Sequence, residues 1–179
     1  MSLRLFVALD LPPAARDALA AAGAAADRDI WRPVAPEALH ITLAFLGARP
    51  PDDVSVIQPI LAGEDGRPAP RLALGAPLLL PPRRARVLTV EVADPDGTLH
   101  ALQARVSDAL ARAGVYTPEQ RPFRAHVTIG RLRPRVKPPR EAGIALEPVA
   151  FTGEAVTLYV SRLHPSGARY EALGRAALI

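Results

Sequence analysis

Two short stretches of this chain, Leu39 to Leu46 and Phe123 to Leu132, alternate in period two, and each carries a histidine and a threonine two positions apart. A period of two belongs to a β-strand with one face against a core and the other turned away from it. In the first stretch His40, Thr42 and Ala44 fall on one face, and Ile41, Leu43 and Phe45 on the other. In the second, His126 and Thr128 oppose Val127 and Ile129, and strict alternation sets Arg131 on the face away from His126. Any fold for this chain must bury the apolar faces of two strands while leaving two His–Thr faces accessible.

The surrounding sequence predicts the other elements. Leu3 to Leu9 reads as an apolar strand, Pro12-Pro13 opens a helix to about Ala26 with proline in its first turn, and Pro33 and Pro36 mark a loop. Asp52-Asp53 is placed to cap a helix reaching about Leu61, and Arg71 to Leu80 and Arg86 to Val92 read as strands joined at Pro81-Pro82. Thr98 to Ala113 is helical, with Leu99, Leu102, Val106, Leu110 and Ala113 in one apolar stripe. Ala155 to Leu163 and Arg169 to Leu178 form a closing hairpin around His164-Pro165-Ser166-Gly167. Strands and helices mix without strict alternation, which predicts an α+β fold with largely antiparallel sheets and flanking helices. The two His-x-Thr segments stand nearly half the chain apart, so the simplest layout is a single domain over 1–179. Its two pseudo-symmetric lobes would carry one motif each and face each other across a central cleft.

Composition narrows the chemistry. With no cysteine, thiolate nucleophiles, disulfides and Cys-based metal sites are excluded. Of the 22 basic residues, Lys137 is the only lysine. Guanidinium groups suit bidentate phosphate contacts, but a genome-wide preference for arginine codons explains the bias equally well, and a net charge of +4 does not decide between them. The apolar run at the N-terminus is too short for a signal peptide or membrane span, so cytoplasmic residence is expected.

An imidazole with an ordinary pKa near ~6.5 can give or take a proton at neutral pH, and a threonine hydroxyl can donate to a phosphoryl oxygen. Two such pairs across a cleft suit in-line displacement at phosphorus, one histidine acting on the entering oxygen and the other on the leaving oxygen, without a metal. A single strand histidine is more often structural than catalytic. With seven threonines in the chain, two His-x-Thr pairs among four histidines arise by chance only about 1% of the time, so the doubling favours chemistry.

The segments His40-Ile41-Thr42-Leu43-Ala44-Phe45-Leu46-Gly47 and His126-Val127-Thr128-Ile129-Gly130-Arg131 resemble the two signature motifs of the 2H phosphoesterase superfamily. The Phe-Leu-Gly ending, the run Leu3 to Leu9, and Ser161-Arg162-Leu163 through Gly167 to Tyr170 are similar to the bacterial LigT or ThpR branch. Those are the RNA 2′,3′-cyclic phosphodiesterases once named 2′,5′ RNA ligases, and the similarity spans nearly the whole chain. The resemblance implies a two-lobed α+β fold, no metal or other cofactor, and hydrolysis of a terminal RNA 2′,3′-cyclic phosphate to a 2′-phosphate, with a reversible 2′,5′ ligase activity alongside. It implies His40 as proton donor to the leaving 3′ oxygen and His126 as the base acting on water. Thr42 and Thr128 would bind phosphate, and Arg131 would assist with substrate charge. The implied partner is RNA with a cyclic phosphate end, tRNA fragments included, or a nucleotide, acted on by a monomer away from membranes. Trp31-Arg32 stands further from the first motif than the aromatic residue usual in the family.

His100 and His164 read as exposed residues without chemistry. Arg83, Arg84 and Arg86 fit either a phosphate track or an ordinary charged loop, and Arg121, Arg124, Arg133 and Arg135 start nearer the expected cleft. Three rivals remain at this level. A zinc hydrolase is weakened by the lack of an acidic residue within either motif. A non-catalytic module would capture RNA ends. A phosphodiesterase of the same chemistry would act on a small cyclic nucleotide, an ADP-ribose cyclic phosphate or a 2′,5′-oligonucleotide.

Overall fold

The computed structural model describes residues 1–165 and 167–179. Strand β1 (Leu3–Leu9) and helix α1 (Pro13–Ala25) fall where the apolar run and the proline-opened stretch place them. The expected loop instead holds a short strand, β2 (Trp31–Pro33), and a 3-10 turn (Pro36–Ala38). The chain continues through β3 (Ile41–Arg49), α2 (Asp53–Ala62), β4 (Arg71–Leu80), β5 (Val87–Ala93), α3 (Thr98–Arg112), β6 (His126–Leu132), β7 (Ala150–Thr152), β8 (Ala155–His164) and β9 (Gly167–Ala177). The hairpin β8–β9 is the closing one; Ser166 in its turn lies outside the described residues. Two local expectations fail. Asp52 makes no side-chain cap bond, and α2 starts instead on backbone turns, Asp53 N–H to Pro50 O and Val54 N–H to Pro51 O, both 3.1 Å. Ala113 ends α3 exposed, outside the buried stripe of Leu99, Leu102, Val106 and Leu110.

Every strand pairing among the described residues is antiparallel, and the strands form one sheet in the order β7-β4-β5-β6-β3-β1-β8-β9, with β2 beside β6. The fold is α+β, with three helices against the sheet. The sheet is nearly cut in two: β3 and β6 meet at a single residue pair, Ile41 opposite Val127. Helices cross this seam. Helix α1 follows β1 yet packs on β6 and β2, and α3 follows β5 yet packs on β3. The apolar faces of the two motif strands, Ile41, Leu43, Val127 and Ile129, share one core with Leu19 of α1, Ile57 of α2 and Leu102 of α3. Each such side chain stabilises the fold by about 1.5–3 kcal/mol through burial alone. Crossed helices and a shared core hold the two halves together where the backbone seam is thin.

Candidate active site

Extending the register of the Ile41–Val127 pair sets His40 across from Thr128, and Thr42 across from His126. The two His–Thr pairs therefore lie diagonally about the seam. All four side chains line one cleft of about 500 Å³.

The residue after each threonine breaks the simple alternation. In the β1–β3 ladder Val7 pairs with Ala44 and Ala8 with Thr42, which leaves Leu43 unpaired. In the β5–β6 ladder Leu88 pairs with Gly130 and Thr89 with Thr128, which leaves Ile129 unpaired. An extra residue in one strand is a β-bulge, and it reverses the inside–outside parity of everything beyond it. Two expectations are corrected by this. Ala44 is 2% exposed and faces the core, while Phe45 is 44% exposed and lines the cleft. Arg131, expected on the far face, lines the cleft with His126. Gly23 of α1 makes room for the second bulge: a Cβ there would lie 2.9 Å from the Ile129 carbonyl oxygen.

Each imidazole is anchored in the same way. Nδ1–H of His40 donates to Ala38 O at 2.8 Å, and Nδ1–H of His126 to Arg124 O at 2.7 Å. A carbonyl can only accept, so Nε2 is left as the basic nitrogen of each ring. At His40 the Thr42 hydroxyl donates to Nε2 at 3.1 Å.

The surroundings of the two rings differ. His40 lies 4.8 Å from the Phe6 ring and edge-on to Tyr170 at 5.4 Å, centroid to centroid. Burial lowers its pKa to about 4, reinforced by Arg131 and His126 and opposed by the Ala38 carbonyl and Asp10. Behind this wall the Asp10 carboxylate accepts from Thr157 Oγ1 and Tyr159 OH, both at 2.8 Å, and from Arg175 Nε at 3.3 Å. Tyr159 in turn stacks on Phe6 at 5.3 Å, and burial with the Asp10 bond pushes its phenol up to about 12. A carboxylate directly after the apolar run of β1 was the available signal for this network, because a buried acid must find partners.

On the β6 side, Arg32 and Arg131 are cross-strand partners and both line the cleft. Among the described residues neither has a carboxylate partner. Like charges placed opposite each other repel, so the pair is suited to an anion shared between them. Trp31 itself is 1% exposed and closed to a stacking base, whereas Phe45, with Arg4 4.8 Å from its ring centre, stands in the cleft. No group of three or more His, Asp or Glu side chains among the described residues is arranged to hold a metal ion.

The other singled-out residues separate clearly. His100 Nδ1–H donates to Asp94 at 2.6 Å, and Asp94 also accepts from the backbone N–H of Leu99 and His100, which ties down the start of α3. His164, expected to be inert, is exposed but lines the cleft. Arg121 and Arg124 are ion-paired with Glu119 and Glu91. Arg133 and Arg135 lie away from the histidines, in a separate groove.

Comparison with known proteins agrees with the geometry. A 31% identical Thermus thermophilus protein, "RNA 2′,3′-cyclic phosphodiesterase", aligns over 98% of this chain and 90% of its own length. The Escherichia coli K12 protein of the same description is 32% identical, over 98% and 96%. The crystal structure of Escherichia coli LigT complexed with 3′-AMP superposes with a TM-score of 0.80 at 30% identity, covering 99% of both chains. Residues 6–165 match the 2′-5′ RNA ligase superfamily, and the chain belongs to that family.

Proposed function

We propose that this chain hydrolyses 2′,3′-cyclic phosphates at RNA ends to 2′-phosphates, with His40 and His126 as a metal-free acid–base pair. One observation carries the reading: two imidazoles, each fixed through Nδ1, present Nε2 to one cleft beside two threonines and two arginines. The names of the relatives at 31% and 32% identity support the substrate. In this reading His126 takes a proton from water, whose oxygen bonds to phosphorus as the bond to the 3′ oxygen breaks, and His40 delivers a proton to that oxygen. Thr42, Thr128 and Arg131, with Arg32, hold the non-bridging oxygens as charge builds on them. Burial keeps His40 neutral at pH 7 before substrate binds, so its acid proton is acquired as the phosphodiester anion enters and raises its basicity. Phe45 offers a stacking face to the terminal base. With an RNA 5′-hydroxyl in place of water giving its proton to His126, the same ring opening, with the 3′ oxygen leaving and taking its proton from His40, gives a 2′,5′ linkage. We further read the two halves of the sheet as pseudo-symmetric lobes of one domain, each with one motif, working as a monomer in the cytoplasm. No described helix is long and apolar enough to cross a membrane.

The test is to incubate the protein, with and without EDTA, with an oligoribonucleotide ending in a 2′,3′-cyclic phosphate and to identify the phosphomonoester. A 2′-phosphate should form in both conditions and vanish in H40A and H126A. No hydrolysis at high enzyme concentration, or loss with EDTA alone, overturns the reading; binding without turnover would mark a capture module.

A further inference from the structure

The loop after β4 and the segment after β6, distant in sequence, build a second concavity of about 800 Å³. Arg83, Arg84, Arg86, Arg133, Arg135, Lys137 and Arg140 line it, and no acidic residue does. All seven are exposed. Among the described residues none has a carboxylate within 4.0 Å. The whole chain carries a net charge of only +4, so the cations here are segregated and not spread evenly. Proline stiffens the frame: Pro82, Pro134, Pro138 and Pro139 also line the groove, so less order is lost when a ligand settles.

Two further features point to a ligand and to its direction. Arg135 has φ 63° in a turn closed by Val136 N–H to Arg133 O, a conformation in which glycine is at ease and arginine is strained. A long cation is held where the backbone alone would favour glycine. The groove and the catalytic cleft are separate but linked along one strand: Arg131 lines the cleft, and the next residue but one, Arg133, lines the groove. Strand β6 runs from His126 to this groove, roughly 20 Å at ordinary strand rise.

We propose that this groove binds the sugar–phosphate backbone of the RNA leading up to the cyclic end, a proposal that rests on the RNA-end reading above. The ligand is single-stranded RNA read as a polyanion, without base contacts. Arg32 and Arg131 receive the terminal phosphate; the seven groove cations track the phosphates of the nucleotides before it.

The experiment compares the wild type with the triple variant R84Q/K137Q/R140Q and with R135G. Fluorescence anisotropy follows binding of a labelled single-stranded oligoribonucleotide with a 3′-hydroxyl end across a salt series, so that no turnover is needed. The triple variant should bind about tenfold or more weakly, with the salt slope lowered by about 0.7 for each phosphate contact removed. Hydrolysis of a mononucleoside 2′,3′-cyclic phosphate should be unchanged. R135G should melt at the same temperature or higher while binding RNA more weakly, which a merely structural Arg135 would not do. RNA affinity within twofold of the wild type overturns the proposal, as does an equal loss on the mononucleotide. Binding to phosphatidylserine vesicles in preference to RNA also overturns it. Should the wild type hydrolyse no cyclic phosphate, the cleft reading fails while the anisotropy series still decides the groove.

Discussion

Strands β3 and β6 solve the same geometric problem and then diverge. Both place a histidine and a threonine on one face, both anchor Nδ1 on the carbonyl two residues upstream, and both bulge at the residue after the threonine. The bulge turns a different fifth residue into the cleft in each case: Phe45 from β3 and Arg131 from β6. One half offers an aromatic wall, with Phe6 and Tyr170 against His40; the other offers guanidinium groups. The shared backbone device sets two histidines and two threonines about one cleft, and the unshared side chains give its two halves different chemistry.

The comparison can be broken most decisively at the histidines. H40A and H126A should each reduce kcat on a cyclic-ended oligoribonucleotide by on the order of 10³-fold, measured by product release, and activity retained in either would end the pairing of the two halves. T42A and T128A come next, at about 10²-fold in kcat. T42A also frees Nε2 of His40 from the hydroxyl that holds it at 3.1 Å, so it should shift the pH profile where T128A does not.

Smaller effects should separate the fifth residues. R131Q should lower kcat/KM by about tenfold on oligonucleotide and mononucleotide alike, as expected for a lost charged hydrogen bond. F45A should raise KM by tenfold or less, and more for a terminal purine than a pyrimidine, because the loss is one of stacking. Equal responses to the base in both variants would erase the distinction.

The last contrast is invisible at pH 7. A folded pKa of about 4 for His40 lies below the unfolded value of about 6.5, so the folded state binds fewer protons between those values. Its contribution to stability is complete above pH 6.5 and lost as pH falls towards 4, by at most about 3 kcal/mol. Melting curves across that window should fall more steeply for the wild type than for H40Q. An NMR titration should find the His40 ring titrating near 4, and higher when inorganic phosphate is added. A His40 ring that titrates at its ordinary value would overturn the claim that burial disfavours its charged form.

Much of this was legible before the fold. Strand β1, strand β4 and helix α1 follow from runs of apolar residues bounded by proline, and the doubled His-x-Thr spacing located both halves of the cleft. The bulges were not legible, because period-two reasoning has no place for an unpaired Leu43 or Ile129, and this alone misassigned Ala44, Phe45 and Arg131. Charge was harder to place for a different reason. Arg121 and Arg124 looked favourable by proximity, but Glu119 and Glu91 neutralise them, and Arg83 to Arg86 gain their meaning only when residues 133–140 fold beside them. The Arg124–Glu91 pair and the meeting of the two groove segments depend on contacts far apart in sequence, whereas Glu119 stands only two residues from Arg121.

The placement of β1 between β3 and β8 also sets an order in time. Strands β4, β5 and β6 are consecutive strands, with α3 between the last two, and can pair before β8 is made. His40 emerges earlier than any of them, yet its neighbour β1 lacks its second partner until β8 is made, and Tyr170 of β9 comes later still. A nascent chain stopped before β8 would hold both histidines and have no finished cleft, so the site is complete only once β8 and β9 have been made.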